Sequence, residues 1–489
     1  MSLRKKVSHG IFWEGGAMLA GRTLGFAVTI LLARLLAPED FGLLAIATLA
    51  INSMVFLQEL GFGAALIYRE EDVDTAATTA HWTIIASSLV LYGIVFLAAP
   101  LVALFFRSPE VTPVLRVLAL TIVISSVSRV PLVLLSKELD FRRKVMPEFA
   151  AGVGGNFMAL ILALLGWGVW ALVWGQVFGM ALSAVLAYRV SSWRPKWGFH
   201  RKVFLELFGY GKHIAASQVL IFGITNIDDL FVGRMLGQET LGQYNLAYKV
   251  SNLPATNITR LVTRVTFPAF TKLRGDVARM RNAFFRLVRY VSLLAFPVAI
   301  ATILFAHDFV HIVLTDKWAP AIVPIQILAI YGLIRSVAAN MGTIFQAGGK
   351  PQWLTGIAAW RLVTMAVLLY PAIRLGGLVG VCWLSTGVAI VDFFISANLV
   401  NRIIDGRMIT YLRLTAPIAV YALIAGGLGL AIEKWLLSTG LWDVLALAAG
   451  GLTIVLIYGA LTWWRDREVR QEGQKLVARL RQADALNAT

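Results

Sequence analysis

Eight Lys and Arg residues stand inside long apolar runs of this 489-residue chain: Arg22, Arg116, Arg129, Lys249, Arg260, Arg264, Arg335 and Arg361. A charge at mid-bilayer costs ~2.5–3.5 kcal/mol on insertion scales and is normally turned toward a protein or water-filled interior. Arg116 lies near a run's end and can snorkel. The others demand a partner. Lys249, Asn252, Thr256, Arg260 and Thr263 recur at spacings of three and four, so they share one helical face. Arg264 borders that stripe, and Pro254 allows a bend within it.

Acidic partners are scarce. Glu14, Glu59, Asp228, Asp229 and Asp392 are the clear carboxylates within apolar runs, fewer than the cations. Excess positive charge suits a pyrophosphate, to which Arg offers a fork of donors and Lys a point charge. Arg22, Lys249, Arg260, Arg335 and Arg361, with Asn252 and Thr256, are therefore the candidate lining of an anion-binding cavity. The plainer alternative is that each cation pairs with a carboxylate or a helix C-terminus. Arg129 and Arg264 lie nearer the ends of their runs, where an entry or lipid-anchoring role competes. Asp228 or Asp229 could bind Na⁺ or a proton, the alternative being a salt bridge to Arg234 or Lys249; Glu59 and Glu14 are further candidates for ion coupling.

The elements that position these residues are helices in lipid. Apolar residues make up 58% of the chain and charged residues 15%, and mean hydropathy is +0.75. A soluble domain needs more charge than that. Runs of about 20 residues or more, the length needed to cross a bilayer, recur at 11–36, 41–66, 79–106, 113–135, 147–166, 169–188, 213–233, 242–270, 287–305, 319–344, 353–373, 378–400, 411–433 and 444–464. The expectation is an all-α polytopic protein of about fourteen spans. Most of the 44 Lys and Arg then fall in loops and tails on the side of the N-terminus, including Arg142-Arg143-Lys144 and Arg194 to Lys202. Arg34, Arg107, Arg234, Lys317, Arg374 and Lys434 are left to the other side. Cytoplasmic loops collect Lys and Arg, so both termini are expected in the cytoplasm. The net charge of +17 is thereby explained without nucleic acid. The tail from Arg465 to Thr489 is compatible with a helix lying on anionic lipid and equally with a solvated tail.

An internal repeat organises the spans. Arg34-Leu35-Leu36-Ala37-Pro38-Glu39-Asp40-Phe41-Gly42 aligns with Arg234-Met235-Leu236-Gly237-Gln238-Glu239-Thr240-Leu241-Gly242, and the match continues through Ala47 and Ala247, then Asn52 and Asn252. A second match pairs Leu118-Ala119 with Leu328-Ala329 and Ser126-Val127 with Ser336-Val337. Two parallel six-helix lobes follow, 1–205 and 206–405, related by a pseudo-two-fold axis along the membrane normal. Transporters of this plan bind substrate between their halves. Residues 406–464 add two spans, and 465–489 form a basic cytoplasmic tail.

Other machinery is missing. Gly348-Gly349-Lys350 lacks the spacing of a nucleotide-binding loop. The lone Cys382 makes no disulfide, and of the six histidines only His307 and His311 share helical spacing. Trp167, Trp170, Trp174, Trp318 and Trp353 fit an interfacial aromatic belt. Trp360, beside Arg361, belongs to the same belt, with stacking on a sugar as the lesser alternative.

The motifs His9-Gly10-Ile11-Phe12-Trp13, Leu32 to Gly42, Lys137-Glu138-Leu139-Asp140-Phe141-Arg142, Gly166-Trp167-Gly168-Val169-Trp170-Ala171-Leu172 and Asn226-Ile227-Asp228-Asp229-Leu230-Phe231-Val232-Gly233 resemble Wzx-type polysaccharide flippases. These belong to the multidrug/oligosaccharidyl-lipid/polysaccharide exporter superfamily, and the likeness is nearest to its colanic-acid and teichuronic-acid exporter branch. It covers roughly residues 1–440. It implies a two-lobed, MATE-like fold that carries a polyprenyl-pyrophosphate-linked oligosaccharide to the outer leaflet without cofactor or catalysis, in contact with membrane lipids and with polysaccharide polymerase or export machinery. It also favours Asp228 over Asp229 for an ion. A multidrug exporter or a peptidoglycan-precursor flippase of the same superfamily is the alternative. A multidrug exporter should carry excess acid in its cavity, and the excess here is basic.

Overall fold

The computed structural model describes residues 23–138, 140–252, 270–273, 275–440 and 442–465, with a few isolated positions besides. Glu14, Arg22, Thr256, Arg260 and Arg264 lie outside the described residues, as does most of the basic tail.

The described residues are helical, with no strand among them. In chain order the helices are α1 (Thr23–Leu35), α2 (Pro38–Glu59), α3 (Phe62–Tyr68), α4 (Val73–Phe106), α5 (Val111–Leu118), α6 (Leu120–Lys137), α7 (Phe141–Leu164), α8 (Val169–Val190), α9 (Arg201–Leu236) and α10 (Gln238–Ser251). There follow α11 (Val277–Asp308), a π-helical turn (Phe309–Leu314), a 3₁₀ turn (Asp316–Ala321), α12 (Ile322–Ala338), α13 (Met341–Ala347), α14 (Gln352–Ile404), α15 (Met408–Ser438) and α16 (Asp443–Arg465). Apart from short interruptions, each expected span falls on helix wherever the described residues cover it. Among those residues, nine helical segments are long and apolar enough to cross a membrane. One of them, α14, holds two expected spans, separated by a break at Gly377 (φ 55°, ψ −136°). The chain is an all-α polytopic membrane protein.

Side-chain distribution follows from hydrocarbon as the solvent. On α4, Leu97 and Leu104 are 78% and 75% exposed, whereas Ala99 is fully buried. Large apolar groups face outward because lipid is as apolar as they are. Small residues face inward because close backbone approach is what remains to hold helices together. The α7–α8 pair shows it: a Cβ on Gly155 would fall 2.7 Å from the Gly175 carbonyl oxygen, and one on Gly179 2.7 Å from that of Ala151.

Contacts divide the chain into two compact units. The first joins Met1–Leu246 with Leu362–Val381; the second joins Ala247–Arg361 with Cys382–Thr489. The first has a core around Phe62, Leu66, Ala80, Ile84, Val130 and Leu134. The second is centred on Phe284, Val288, Met341, Phe345, Val400 and Tyr411.

Within the first unit the two aligned segments of the repeat meet each other. Pro38 opens α2, and the Asp40 carboxylate accepts the Ala37 N–H at 2.9 Å. Gln238 opens α10. A Cβ on Gly42 would lie 1.7 Å from the Gln238 carbonyl oxygen, and one on Gly242 would lie 2.0 Å from that of Pro38. Each glycine abuts the position that corresponds to the other's partner. A second correspondence joins the turns before α8 and within α14. Gly168 has φ 53° and ψ −135°, nearly the same as Gly377. Only glycine adopts that backbone readily.

Candidate substrate-binding site

In the second unit, a polar group centred on the candidate Arg335 is built by α10, α12 and α14. Tyr331 and Arg335 lie one turn apart on α12, and Tyr248 lies in the last turn of α10 beside Lys249. The Arg335 guanidinium donates to both phenol oxygens, at 3.0 Å to Tyr331 and 3.2 Å to Tyr248. It also stands 5.5 Å from the Tyr331 ring centroid. The two tyrosine rings lie 6.0 Å apart, so they form a shallow clamp.

Close packing sets that geometry. Gly332, on α12, brings the helix so near α10 that a Cβ there would fall 2.4 Å from the Ser251 carbonyl oxygen. The Ser251 hydroxyl in turn donates to the Ile325 carbonyl at 2.8 Å. Asn252, one residue on, is buried, whereas Lys249 is exposed. Asp392, on α14, is half-buried and accepts from the Ser396 hydroxyl at 3.4 Å. Arg361 and Arg335 both act on it electrostatically, but among the described residues neither forms an ion pair with it.

The chemical consequence lies in what holds Arg335. A phenol positions a guanidinium without cancelling its charge. Both bonds use one terminal nitrogen, and a guanidinium has five N–H donors. The remaining fork is what a phosphate or carboxylate would take.

Arg129 presents the opposite case. In the first unit it forms an ion pair with Glu59, between α6 and α2. That is the plainer alternative raised for each cation, realised here. Asp228 and Asp229, on α9, accept from side chains of α10: Tyr244 donates to Asp228 at 2.6 Å and Asn245 to Asp229 at 3.1 Å. Arg234 donates to the Phe105 carbonyl at 2.6 Å and stacks on the Phe105 ring.

The unit also holds an apolar cavity of about 560 Å³, lined by α2, α4 and α9 residues such as Met54, Val95, Phe106, Phe222 and Ile227. The rings of His307 and His311 lie tilted to one another with centroids 4.4 Å apart, at the junction of α11 and the π-helical turn. Among the described residues no group of three or more His, Cys, Asp or Glu could hold a metal ion.

Three features escaped the sequence. Tyr248 and Tyr331 carried a signal, since one adjoins Lys249 and the other precedes Arg335 by four. Glu433 gave none that distinguished it from a span end, yet it is fully buried. Its carboxylate oxygens lack a hydrogen-bond partner among the described residues, beside an Asp308–Lys434 ion pair of 2.8 Å. The third is an arginine-lined cavity at the ends of α11 and α15.

A polytopic helical fold with a tyrosine-held cation inside its spans defines a membrane protein of the transporter type. The family model described as "Polysaccharide biosynthesis protein" matches residues 31–323, and the chain belongs to that family. It is 26% identical over 410 residues to the teichuronic acid biosynthesis protein TuaB of Bacillus subtilis (82% of this chain, 84% of TuaB). It is 27% identical over 419 residues to the lipopolysaccharide biosynthesis protein WzxC of Escherichia coli (83% of this chain, 81% of WzxC). Among solved structures, the lipid II flippase MurJ in an inward closed conformation matches with a TM-score of 0.72 at 16% identity, over 93% of this chain and 99% of MurJ. An inward-facing multidrug resistance MATE family transporter of the MOP superfamily matches at 0.62 and 17% identity, over 78% and 95%. These two likenesses establish the fold.

Proposed function

We propose that this chain is a flippase, not an enzyme, that carries a polyprenyl-pyrophosphate-linked oligosaccharide from the cytoplasmic to the outer leaflet of a bacterial inner membrane. The observation that carries this reading is Arg335, a cation within the spans held by two phenols rather than by a contact carboxylate. Arg361, Lys249 and Asn252 belong to the same proposed binding site; Arg22, Arg260 and Thr256 are proposed for the substrate on residue type and spacing. Family membership supports the oligosaccharide, and the names of TuaB and WzxC support a cell-surface polysaccharide.

The working cycle is alternating access. Lobes 1–205 and 206–405 rock about their pseudo-two-fold axis, with 406–464 as an added helix pair and 465–489 as a cytoplasmic tail. The abutment of Gly42 and Gly242, and the matching turns at Gly168 and Gly377, support the two lobes. Both termini face the cytoplasm in this reading, which the Lys and Arg distribution supports. Moving one negative charge outward across 100 mV gains ~2.3 kcal/mol, so the membrane potential alone assists a diphosphate. Na⁺ or proton coupling falls to Asp228 or Asp229, each within reach of a polar side chain of α10.

Depletion tests this reading. A pyrophosphate-linked repeat unit should accumulate on the cytoplasmic face and be cleared by wild type but not by Arg335→Ala. Accumulation of a peptidoglycan precursor, or changed drug sensitivity with no accumulation, would assign a different substrate.

A further inference from the structure

A second cationic site stands apart from the Arg335 clamp, though within the same unit. A cavity of about 680 Å³ is lined by Arg281, Arg286 and Arg289 of α11 and by Arg407 at the start of α15, with Asp405 as its one acidic residue. Four guanidinium groups face one carboxylate. Among the described residues Asp405 engages Arg281, which donates to its carbonyl at 3.0 Å and stands 3.8 Å from its carboxylate. Among the described residues the side chains of Arg286 and Arg407 have no hydrogen-bond or ion-pair partner.

Local structure explains the concentration. Arg281 and Arg289 are two turns apart and share the face of Phe285, while Arg286 borders it. The three occupy about 12 Å of helix. Asp276 caps α11, accepting the Arg279 N–H at 2.9 Å. Asp405 has a left-handed backbone (φ 50°) that ends α14 and turns the chain into α15. Arg407 is thereby delivered opposite the α11 arginines.

The cavity's second property is its floor. Phe285 is buried in the unit's core and Leu414 lies beside it, so the arginines stand where polar helix ends pass into apolar spans. An ion in bulk water has no need of such a floor. A group with a charged head and an apolar tail does, and guanidinium forks match phosphate oxygens in particular.

We propose that this pocket binds a phosphate group carried on a lipid, either an anionic phospholipid or a prenyl diphosphate. It goes beyond the transport reading, because a phospholipid would occupy it whatever the cargo. The test uses full-length protein in nanodiscs of neutral phosphatidylcholine, doped with phosphatidylglycerol or a prenyl diphosphate, or bathed in inorganic pyrophosphate. Ligand retained after extraction is counted by native mass spectrometry. The expected result is retention of a doped lipid by wild type that falls about tenfold in the Arg286→Gln/Arg407→Gln double variant. It should be unchanged in Arg279→Gln, an arginine paired with Asp276 outside the pocket. Phosphatidylglycerol alone would assign a phospholipid, and prenyl diphosphate alone a diphosphate lipid. Added salt should release the lipid from wild type, a readout independent of any folding defect in the variants. Salt-insensitive retention, equal retention by the double variant, or capture of free pyrophosphate without either lipid would overturn the proposal.

Discussion

Arg335 and Arg129 are both arginines within membrane spans, and the protein treats them in opposite ways. Arg129 faces Glu59 across α6 and α2, so the pair is close to neutral. Arg335 is fixed by Tyr331 and Tyr248, which orient its guanidinium and leave its charge standing. The difference separates two uses of a cation in lipid. A counter-charge in contact makes it a structural fastener; neutral hydroxyl partners, with Asp392 acting only at a distance, suit the anion-binding role proposed above.

The largest effect expected from this contrast is on transport. Arg335→Ala should reduce export about 10–100-fold at normal protein abundance, since charge-assisted hydrogen bonds are worth about 1.5–3 kcal/mol. Surface polysaccharide on complemented cells, normalised to membrane protein level, measures it. Unaltered export would break the comparison. Arg335→Lys should recover only part, because an ammonium lacks the planar fork.

Arg129 should instead report on stability. Both partners are partly exposed, at 39% and 29%, so a buried-pair cost must be discounted for solvent screening. Glu59→Ala should cost about 1–2 kcal/mol, read from thermal unfolding in detergent, with export nearly intact. Removing both partners should recover part of that loss. A double variant less stable than the sum of its singles would show that the two residues do more than neutralise each other.

Smaller effects sharpen the clamp itself. Tyr331→Phe and Tyr248→Phe each delete one hydrogen bond of about 0.5–1.5 kcal/mol. Each should therefore lower export only about 2–10-fold, measured on the same cells, and the double change should approach Arg335→Ala. Smallest of all is the expected effect of Asp228→Asn under saturating gradients. Its signature is a flattened dependence of flux on Na⁺ or pH in proteoliposomes, and an unchanged dependence would remove Asp228 from any coupling role.

Much of the scaffold was legible because bilayer thickness sets the length of each apolar run, and composition alone reveals such runs. The break at Gly377 falls between two such runs, 353–373 and 378–400. The end of α2 was not: Leu60 and Gly61 turn left-handed (φ 49° and 73°) inside a run that stays apolar. The cause is a close approach to Gly211, whose carbonyl oxygen a Cβ on Gly61 would meet at 2.3 Å. Contacts between residues 150 apart leave no local trace. The same limit applied to the site. Residue types placed Arg335 and Arg361 on the list of candidates, but only folding brings Tyr248 to Arg335, or Glu59 to Arg129. The stripe through Thr256 and Arg260 lies outside the described residues, so its contribution rests on helical spacing alone.

The abutment of Gly42 and Gly242 has a consequence for how this chain can change over time. Each position is walled by backbone from the segment that carries the other, with no flexible side chain to give way. A mutation at either one cannot be absorbed at its own site; it needs a backbone shift two hundred residues distant. The two positions are thus tied in space, each to the backbone of the other's segment. At each of them the only substituent the neighbouring backbone leaves room for is hydrogen.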